Sequence, residues 1–456
     1  MSVVALKPVA QSLRPAILPR IVGRTQIAGW KSGESSFSAP AFTENRTSGI
    51  HRWVPWIAGF SAAFVTEAVE KHAPQGGLVV DPFAGVGTTL LETIRRGVAY
   101  EAIGFEINPY AAFAAATKLE AISLRVAEVR RALDCFRNEA SAAAPCAEPP
   151  GFRSRIPFYS PRVLSKVLRA LGWIQQLKSP SLRQLFLLAF SSVMVKFSNY
   201  SYEPSLTSRP AVDKPLVEDA DVYGIIREKL EQMLGDIAQF QGNCPALARG
   251  RVHSRSWTTA EEIIDQGSIQ LIITSPPYAN NYHYLRNTRP QMYWLGFAKS
   301  PRDFDAIEND SFGKFWQTVR ELPPIPLNFD FPELEATLAT LRTLNSQKGF
   351  YGGGGWANYL ATYFNDSYEF LKRAGKLLAP GGVAVIVIGN SIVQGLDIRT
   401  DEVFARLAES DDVRLSVESL EVARKKRVGN SIVNSSVRNG AASTATLYES
   451  ILTLRR

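Results

Sequence analysis

Residues 78–91 read LVVDPFAGVGTTLL, which predicts a buried strand, a loop with two glycines and the first turn of a helix. Gly85 and Gly87 allow the backbone of this loop to approach a ligand closely or to adopt a positive φ. Thr88 and Thr89 supply the hydroxyl side chains that are favoured where a helix begins. Loops of this kind, between a strand and a helix, bind nucleotide-like cofactors.

A second strand is predicted at 102–105, and it is followed directly by the acid Glu106 and then by Asn108. A carboxylate at the end of a strand can accept hydrogen bonds from both hydroxyls of a ribose diol. Helices are predicted on either side of these strands, at 61–72, 88–96 and 110–120. This alternation of strands and helices predicts the start of a doubly wound α/β sheet.

The strand pattern recurs at 269–278, where IQLIITSPPY places an apolar strand ahead of a rigid turn. In open α/β sheets, ligands bind at the carboxyl edge of the strands. Pro276 and Pro277 lack an N–H and fix φ, so the carbonyls of Ser275 and Pro276 are expected to be free acceptors. The ring of Tyr278 can stack on a flat partner. The turn therefore predicts a pocket for an exocyclic amine on an aromatic base.

These motifs together resemble those of the S-adenosylmethionine-dependent DNA amino-methyltransferases. Ser275 ahead of the two prolines resembles the cytosine-N4 branch more than the adenine-N6 branch, where Asp-Pro-Pro-Tyr is usual. Upstream, 49–56 and 59–61 resemble the family's motif that closes over the methionine end of the cofactor. Downstream, 377–390 and 448–454 resemble a later helix–turn–strand unit and the closing strand.

The resemblance implies a Rossmann-like methyltransferase fold, a doubly wound mixed sheet with a mostly helical insertion, and S-adenosyl-L-methionine as cofactor. It implies cofactor contacts from Trp53, Phe60, Asp81, Pro82, Phe83, Gly85, Gly87, Thr88, Thr89, Glu106 and Asn108. It implies a catalytic turn made of Ser275, Pro276, Pro277 and Tyr278. That turn would hold a cytosine rotated out of a DNA duplex while its N4 amine receives the methyl group.

The chain departs from the family pattern at 251–257, where many relatives carry an acid that contacts the adenine amino group. No carboxylate occurs in this segment, so that contact is expected from the backbone or from Ser256. Ser275 favours cytosine without excluding adenine, so an adenine-N6 methyltransferase stays an alternative. A structured-RNA N-methyltransferase would share both motifs but would add an RNA-binding appendage, and none is recognisable in the sequence.

The pattern divides the chain into four segments. They are a flexible N-terminal arm at 1–45, a cofactor-binding half at 46–120, a helical insertion at 121–249 and a catalytic half at 250–456. The insertion begins where the parallel pattern lapses, and amphipathic helices are predicted in it at 164–177 and 181–196. Strands resume near Val252 and at 383–389.

The insertion is the first candidate for reading the target. It interleaves basic residues with Phe158, Tyr159 and Trp173, a composition that suits a nucleic-acid strand. The alternative is a helical cap whose aromatic residues are core and whose charges face solvent.

Two other regions are candidates for contacting nucleic acid. Arg286 follows the catalytic turn closely, in a stretch that also contains the glycine run 352–355, a hinge or a flexible loop. Four consecutive cations, Arg424, Lys425, Lys426 and Arg427, precede the final strand. They predict a phosphate-gripping loop or, equally, a solvated turn.

Composition favours a polyanionic partner, which the family resemblance implies is double-stranded DNA. Lysine and arginine number 51 against 43 acidic residues, for a net charge of +8 and a pI near 9.3. The three cysteines and four histidines lack metal-like spacing, and no run reaches membrane-spanning length, so neither a metal nor a membrane is expected. Unpaired thiols suit the reducing cytoplasm of a bacterium or archaeon, where the protein would associate with the nucleoid. A separately encoded restriction endonuclease would be a natural partner.

Overall fold

The computed structural model describes residues 30–31, 35–37, 40, 42–56, 59–203, 205–243, 248–280, 284–425 and 447–456. Its strands are β1 (Trp30–Lys31), β2 (Gly77–Asp81), β3 (Tyr100–Phe105), β4 (Tyr200–Tyr202), β5 (Leu206–Ser208), β6 (Arg249–His253), β7 (Ile269–Thr274), β8 (Leu378–Gly389), β9 (Ser391–Val393), β10 (Leu396–Ile398), β11 (Ser416–Lys425) and β12 (Tyr448–Arg455).

Its α-helices are α1 (Ala62–His72), α2 (Thr88–Ile94), α3 (Pro109–Ala121), α4 (Val126–Ala142), α5 (Pro161–Gln175), α6 (Pro180–Val193), α7 (Val222–Asn243), α8 (Tyr284–Trp294), α9 (Arg302–Asp310), α10 (Trp316–Val319), α11 (Pro332–Thr343), α12 (Gly353–Leu377) and α13 (Thr400–Ala408). Short 3₁₀ helices lie at Phe42–Arg46, Gly49–Trp53, Arg209–Val212, Trp257–Glu262 and Ser346–Tyr351.

Eight strands form one mixed sheet in the order β1-β11-β12-β8-β7-β2-β3-β6. Strands β6, β3, β2, β7 and β8 are mutually parallel, whereas β12 runs antiparallel to both of its neighbours. From β2 the chain winds outward to β3 and β6 on one side, and from β7 it winds to β8 on the other. The predicted doubly wound mixed sheet is therefore confirmed.

Both faces of the sheet are buried, which explains why its strands read as nearly continuous apolar runs. Because side chains alternate along a strand, neighbouring residues pack on opposite layers. One face packs against α1 through Val79, Leu271, Ile273 and Val385. The other packs against α12 and α13 through Val80, Ile272, Ile386 and Ile388.

The region at 121–249 contains α4, α5, α6, α7 and the antiparallel hairpin of β4 with β5. Phe158, Tyr159 and Trp173 are buried in its hydrophobic cluster. Lys166 pairs with Asp219 at 2.5 Å. These aromatic rings are thus core residues and cannot stack on the bases of a nucleic acid.

Within the segment predicted to be a flexible arm, β1 pairs in parallel with β11, opposite Leu420 and Glu421. Two other expectations need correction. The glycine run 352–355 lies at the beginning of α12 rather than in a loop. Arg424 and Lys425 end β11 rather than lying in a turn. In both cases residues that are typical of loops form part of a helix or strand that tertiary packing stabilises.

Among the helices in the described ranges, none combines the length and the apolar character needed to cross a bilayer.

Candidate active site

The switch point of the sheet lies between β2 and β7, the neighbouring strands from which the chain winds in opposite directions. A cavity with a water-accessible volume of about 210 Å³ opens at their carboxyl ends. Its wall contains residues from the segments that follow four parallel strands. These are Pro82, Phe83 and Gly85 after β2; Glu106, Ile107 and Asn108 after β3; Ser256, Trp257 and Thr258 after β6; and Ser275, Pro277 and Tyr278 after β7. The fold thus brings together the two predicted motifs, which are almost 200 residues apart in the chain.

Asp81, the last residue of β2, is fully buried and connects those two motifs by hydrogen bonds. It accepts hydrogen bonds from Thr89 Oγ1 at 2.6 Å, from Thr274 Oγ1 at 2.7 Å and from the Phe83 amide at 3.0 Å. Burial raises the pKa of its carboxyl to about 6, although all three hydrogen bonds favour the ionised form. Since Thr274 directly precedes Ser275, Asp81 connects the loop after β2 to the Ser-Pro-Pro-Tyr turn.

Glu106 is the carboxylate in the cavity wall that follows β3. Its Oε2 accepts from the Gly85 amide at 2.9 Å, and its Oε1 accepts from the Asn108 amide at 2.7 Å. Burial raises the pKa of Glu106 to about 7, and the nearby charge of Asp81 acts in the same direction. A carboxylate has about four lone-pair positions, so these bonds orient Glu106 and still leave it able to accept from a ligand.

The loop between Gly85 and the helix depends on glycine. Gly85 has a φ of +51°, and a Cβ atom there would lie 2.9 Å from Nε1 of Trp56. Trp56 therefore covers this loop at a distance that leaves no room for a side chain. Gly87 has a φ of +85° and precedes α2, while Thr88 and Thr89 are buried behind the wall.

Asn108 lines the cavity but is also committed to the scaffold. Its Oδ1 accepts from the Tyr110 amide at 3.1 Å and so caps α3. Its Nδ2 donates to Thr288 Oγ1 at 3.0 Å, which ties this helix to α8.

Trp53 and Phe60, both predicted to contact the cofactor, lie outside the cavity wall as the structure describes it. Trp53 is fully buried, and its indole N–H donates to Oδ2 of Asp236 at 2.9 Å. Phe60 packs edge-on against Phe64, 5.7 Å between ring centroids. The residue of this segment that reaches the cavity is Trp56, which the sequence motif contains but did not single out.

The turn Ser275–Tyr278, predicted to be catalytic, is held in place by residues from other segments. Ser275 and Tyr278 are half-buried in the cavity wall, and Pro276 is buried behind them. The Pro277 carbonyl accepts from the Tyr363 hydroxyl of α12 at 3.0 Å. The Tyr278 hydroxyl donates to Oε1 of Glu449 at 3.2 Å. Its ring lies so close to Gly389 that a Cβ there would be 3.1 Å away.

The predicted nucleic-acid residues take different positions. Arg424 Nε donates to Oε2 of Glu449 at 2.7 Å, so it stabilises the carboxylate that holds Tyr278. Arg286 is exposed on α8. Lys425 is described in its backbone alone, and Lys426 and Arg427 fall outside the described residues.

Sequence reasoning missed a third part of the wall, formed by α12 and by the strap 311–315. Phe312 packs on Phe83 at 5.1 Å and on Tyr363 at 5.4 Å between ring centroids. The Gly313 amide donates to Oδ2 of Asp366 at 2.8 Å. The strap carries no recognisable motif. For α12, the available sequence signal is the helical spacing of Tyr359, Asp366 and Phe370, which places these cavity-lining residues on one face of the helix.

In the part of the chain that the structure describes, no three His, Cys, Asp or Glu side chains are grouped so that they could hold a metal ion.

No model of a known protein family matches the chain. It is similar to the Type II methyltransferase M.BsoBI of Geobacillus stearothermophilus, with 22% identity over 437 residues, 86% of this chain and 83% of that protein. The Type II methyltransferase M.AvaI of Nostoc sp. is 20% identical over 415 residues, covering 84% of this chain and 82% of that protein. M.MjaII of Methanocaldococcus jannaschii, also a Type II methyltransferase, is 31% identical over 77 residues, 17% of this chain and 14% of that protein.

Among solved structures, a geranyl diphosphate methyltransferase in complex with GPP and sinefungin matches with a TM-score of 0.30 at 8% identity, covering 93% of this chain and 90% of that one. The rRNA methyltransferase aviRa of Streptomyces viridochromogenes matches with a TM-score of 0.27 at 8% identity, covering 91% and 93%. Overlaps this weak carry no argument, and the fold assignment rests on the sheet itself.

Proposed function

We propose that this chain is a site-specific DNA methyltransferase that uses S-adenosyl-L-methionine to methylate the exocyclic N4 amine of a flipped cytosine. One observation carries the proposal: a single cavity at the switch point is lined both by the Gly85 loop with Glu106 and by the Ser275–Tyr278 turn. A cofactor held by the first and a base held by the second would meet in this space. Similarity to Type II methyltransferases over most of the chain supports the same class of reaction.

The residues of the wall fit this cofactor, which supplies a methyl group on a sulfonium sulfur when it is bound. Glu106 would accept from the ribose hydroxyls, and Trp56 would cover the backbone at Gly85, where a side chain has no room. Ser256 and Trp257 lie in the part of the wall that follows β6 and would contact the adenine ring.

The charge of the cavity wall supports the same cofactor. Its acidic residues are Glu106, Glu308, Asp310, Asp366 and Glu369, and its basic residues are Lys314 and Arg373. An excess of carboxylates favours a ligand that carries a sulfonium cation and an ammonium group.

On the base side, Ser275 Oγ and the Pro276 carbonyl would accept the two amino hydrogens, while Tyr278 stacks on the ring. These acceptors draw the nitrogen toward tetrahedral geometry and direct its lone pair at the methyl group. The N–C bond would form as the S–C bond breaks, with the S–C electron pair remaining on the sulfur of the departing S-adenosylhomocysteine. The methylated amine would then lose its extra proton to solvent water. The protein needs no covalent intermediate for this step, so its contribution is mainly orientation, an effect that can supply about 7–11 kcal/mol.

The test is to incubate the protein with labelled S-adenosylmethionine and either duplex DNA or total RNA, and then to identify the labelled nucleoside. We expect N4-methylcytosine from DNA. N6-methyladenine would overturn the choice of base, label in RNA alone would overturn the choice of substrate, and no label in either would overturn the function. Long-read sequencing of DNA from an expressing host would identify the recognised site, and protection of that site would define the matching restriction endonuclease.

A further inference from the structure

A cluster of aromatic rings around an arginine lies beside the cavity, on residues that none of the sequence motifs contains. It consists of the buried Trp316, the half-buried Arg320 and the exposed Phe350 and Tyr351, and is here called the aromatic platform. Phe350 is 39% exposed and Tyr351 is 55% exposed. Large apolar side chains with such exposure are uncommon in the described residues. Two adjacent ones on one surface therefore indicate a binding surface.

The platform is built rigidly around a cation. The guanidinium carbon of Arg320 lies 4.7 Å from the ring centroid of Trp316, 4.7 Å from that of Phe350 and 4.9 Å from that of Tyr351. Phe350 and Tyr351 are 4.4 Å apart between centroids. These distances are within the range of cation–π attraction, so the rings are held in place before any partner arrives.

The backbone fixes the platform as well. A Cβ atom at Gly355 would lie 2.3 Å from the Phe350 carbonyl oxygen, and one at Gly353 would lie 1.7 Å from the Leu341 carbonyl oxygen. Gly355 therefore lets the 3₁₀ segment with Phe350 pack directly on α12, and Gly353 lets the end of α11 do the same.

The platform is continuous with the cavity. Tyr359 lines the cavity, and its ring lies 5.8 Å from that of Trp356. Trp356 in turn stacks on Trp316 at 5.1 Å with an interplanar angle of 23°. Trp316 follows Phe315, another residue of the cavity wall. A path of rings thus leads from the site of the target base to the surface.

We propose that the aromatic platform stacks an unpaired base of the nucleic-acid substrate next to the flipped target nucleotide. The proposal rests on the proposed function and adds a second contact to it. Exposed stacked rings suit a nucleobase, because every base has a π-face. The guanidinium of Arg320 also pairs with Glu321 at 3.1 Å, so the anionic phosphate would rely on another cation. Lys348, exposed in the same 3₁₀ turn, adds positive charge for that phosphate.

The experiment measures the Kd of fluorescently labelled duplex DNA that contains one unpaired base, together with methyl transfer to the same DNA. Tyr351→Ala and the double variant with Phe350→Ala are compared with Tyr351→Trp, which keeps a stacking ring. Leu216→Ala, at an exposed apolar position elsewhere (42% exposed), is the matched control. Calorimetry with S-adenosylmethionine reports whether the cavity is intact.

We expect Tyr351→Ala to weaken DNA binding about tenfold, Tyr351→Trp to restore it to within about twofold, and Leu216→Ala to change nothing. Cofactor affinity should stay the same in all variants. An unchanged Kd in the double variant would overturn the proposal. So would a change in oligomeric state with unchanged DNA binding, because a protein would then be the occupant.

Binding and methyl transfer separate this proposal from the proposed function. If the wild type binds DNA through the platform but labels no nucleic acid, the proposed function fails and the platform stands. If the wild type methylates DNA and the double variant matches it in Kd and KM, the platform fails alone.

Discussion

The two sides of the cavity are stabilised in different ways. The side proposed to hold the cofactor, here called the cofactor side, has local contacts at Asp81 and Glu106: Thr89 bonds Asp81 across 8 residues, and the Gly85 amide bonds Glu106 across 21. The side proposed to hold the base, here called the base side, has distant contacts, since Tyr363 holds Pro277 across 86 residues and Glu449 holds Tyr278 across 171. The Thr89–Asp81 and Gly85–Glu106 contacts lie within one βαβ unit, whereas the contacts of the base side require α12 and β12.

This difference teaches that binding of the cofactor and positioning of the base should be separable by mutation, except at one residue. Asp81 accepts from Thr89 on the cofactor side and from Thr274 on the base side, the latter across 193 residues. Variants at other positions should affect one side, and variants at Asp81 should affect both.

The largest effect is therefore expected for Asp81→Ala. It leaves the buried hydroxyls of Thr89 and Thr274 without their acceptor, which costs about 1–3 kcal/mol for each group. We expect calorimetry to detect no cofactor binding, methyl transfer to disappear and Tm to fall. The matched control is Asp81→Asn, which keeps one carbonyl acceptor and should retain a measurable part of the affinity. If Asp81→Ala bound the cofactor with wild-type affinity, Asp81 would not connect the two sides of the cavity as proposed.

Ser275→Ala should impair the base side while leaving cofactor binding unchanged. It removes an acceptor for the amino hydrogens and leaves the cofactor side intact, so we expect kcat to fall about 100-fold. Cofactor Kd should stay within about twofold of the wild type, because the local bonds of Glu106 are unchanged. Single-turnover kinetics with saturating DNA provide the measurement. Unchanged turnover would mean that the hydroxyl takes no part in the reaction.

The local side was also the side that could be predicted from sequence. The strand, the glycine loop and the acid at Glu106 lie in one short stretch, and the start of a doubly wound sheet follows from it. The mixed character of the sheet was expected from the family resemblance. The same reasoning predicted that Ser275 lies at a sheet edge, because it directly follows an apolar strand. Whether these residues contact a cofactor or a base stays a prediction.

The distant side could not be predicted, because its contacts depend on how remote elements pack. Nothing in the sequence distinguishes Glu449 from other strand residues, and only the complete sheet places it beside Tyr278. Arg424 belongs to a run of cations typical of a loop, and it reaches Glu449 because β11 pairs with β12. Trp53 shows the converse. The motif predicted that Trp53 contacts the cofactor, whereas in the structure its indole N–H donates to Asp236 of the helical insertion. Such outcomes are decided by tertiary structure that no local pattern contains.

Glu106→Gln should weaken the cofactor side by a smaller amount. Neutral glutamine accepts ribose hydroxyls less strongly than a carboxylate, so we expect affinity at pH 8 to fall about tenfold. In the wild type, affinity should also fall as the pH drops below about 7, where Glu106 becomes protonated. The variant should lose most of this pH dependence, and calorimetry from pH 6 to 8 provides the test. A residual dependence nearer pH 6 would come from Asp81.

The stability of the protein without cofactor should show the opposite sign. Burial raises the pKa of Glu106 from 4.5 to about 7, so its contribution to stability is fully present below pH 4.5 and is lost as the pH rises through about 7. Glu106→Gln cannot ionise, so we expect its Tm to fall less than that of the wild type between pH 6 and 8. An equal fall in both proteins would show that other groups govern this pH range.

Tyr278→Phe should have the smallest effect, although it removes a contact between the Ser275–Tyr278 turn and Glu449. The ring keeps its place beside Gly389, and the 3.2 Å hydrogen bond to Glu449 is lost. Glu449 does not become an unpaired charge, because Arg424 still donates to its other oxygen at 2.7 Å. A hydrogen bond of this kind contributes about 1 kcal/mol, so KM for DNA should rise about fivefold while cofactor Kd stays the same. Tyr278→Ala, which also removes the ring, should cost far more. If the two variants are equally impaired, the hydroxyl rather than the ring positions the base, and the distant contacts of this side are part of the chemistry.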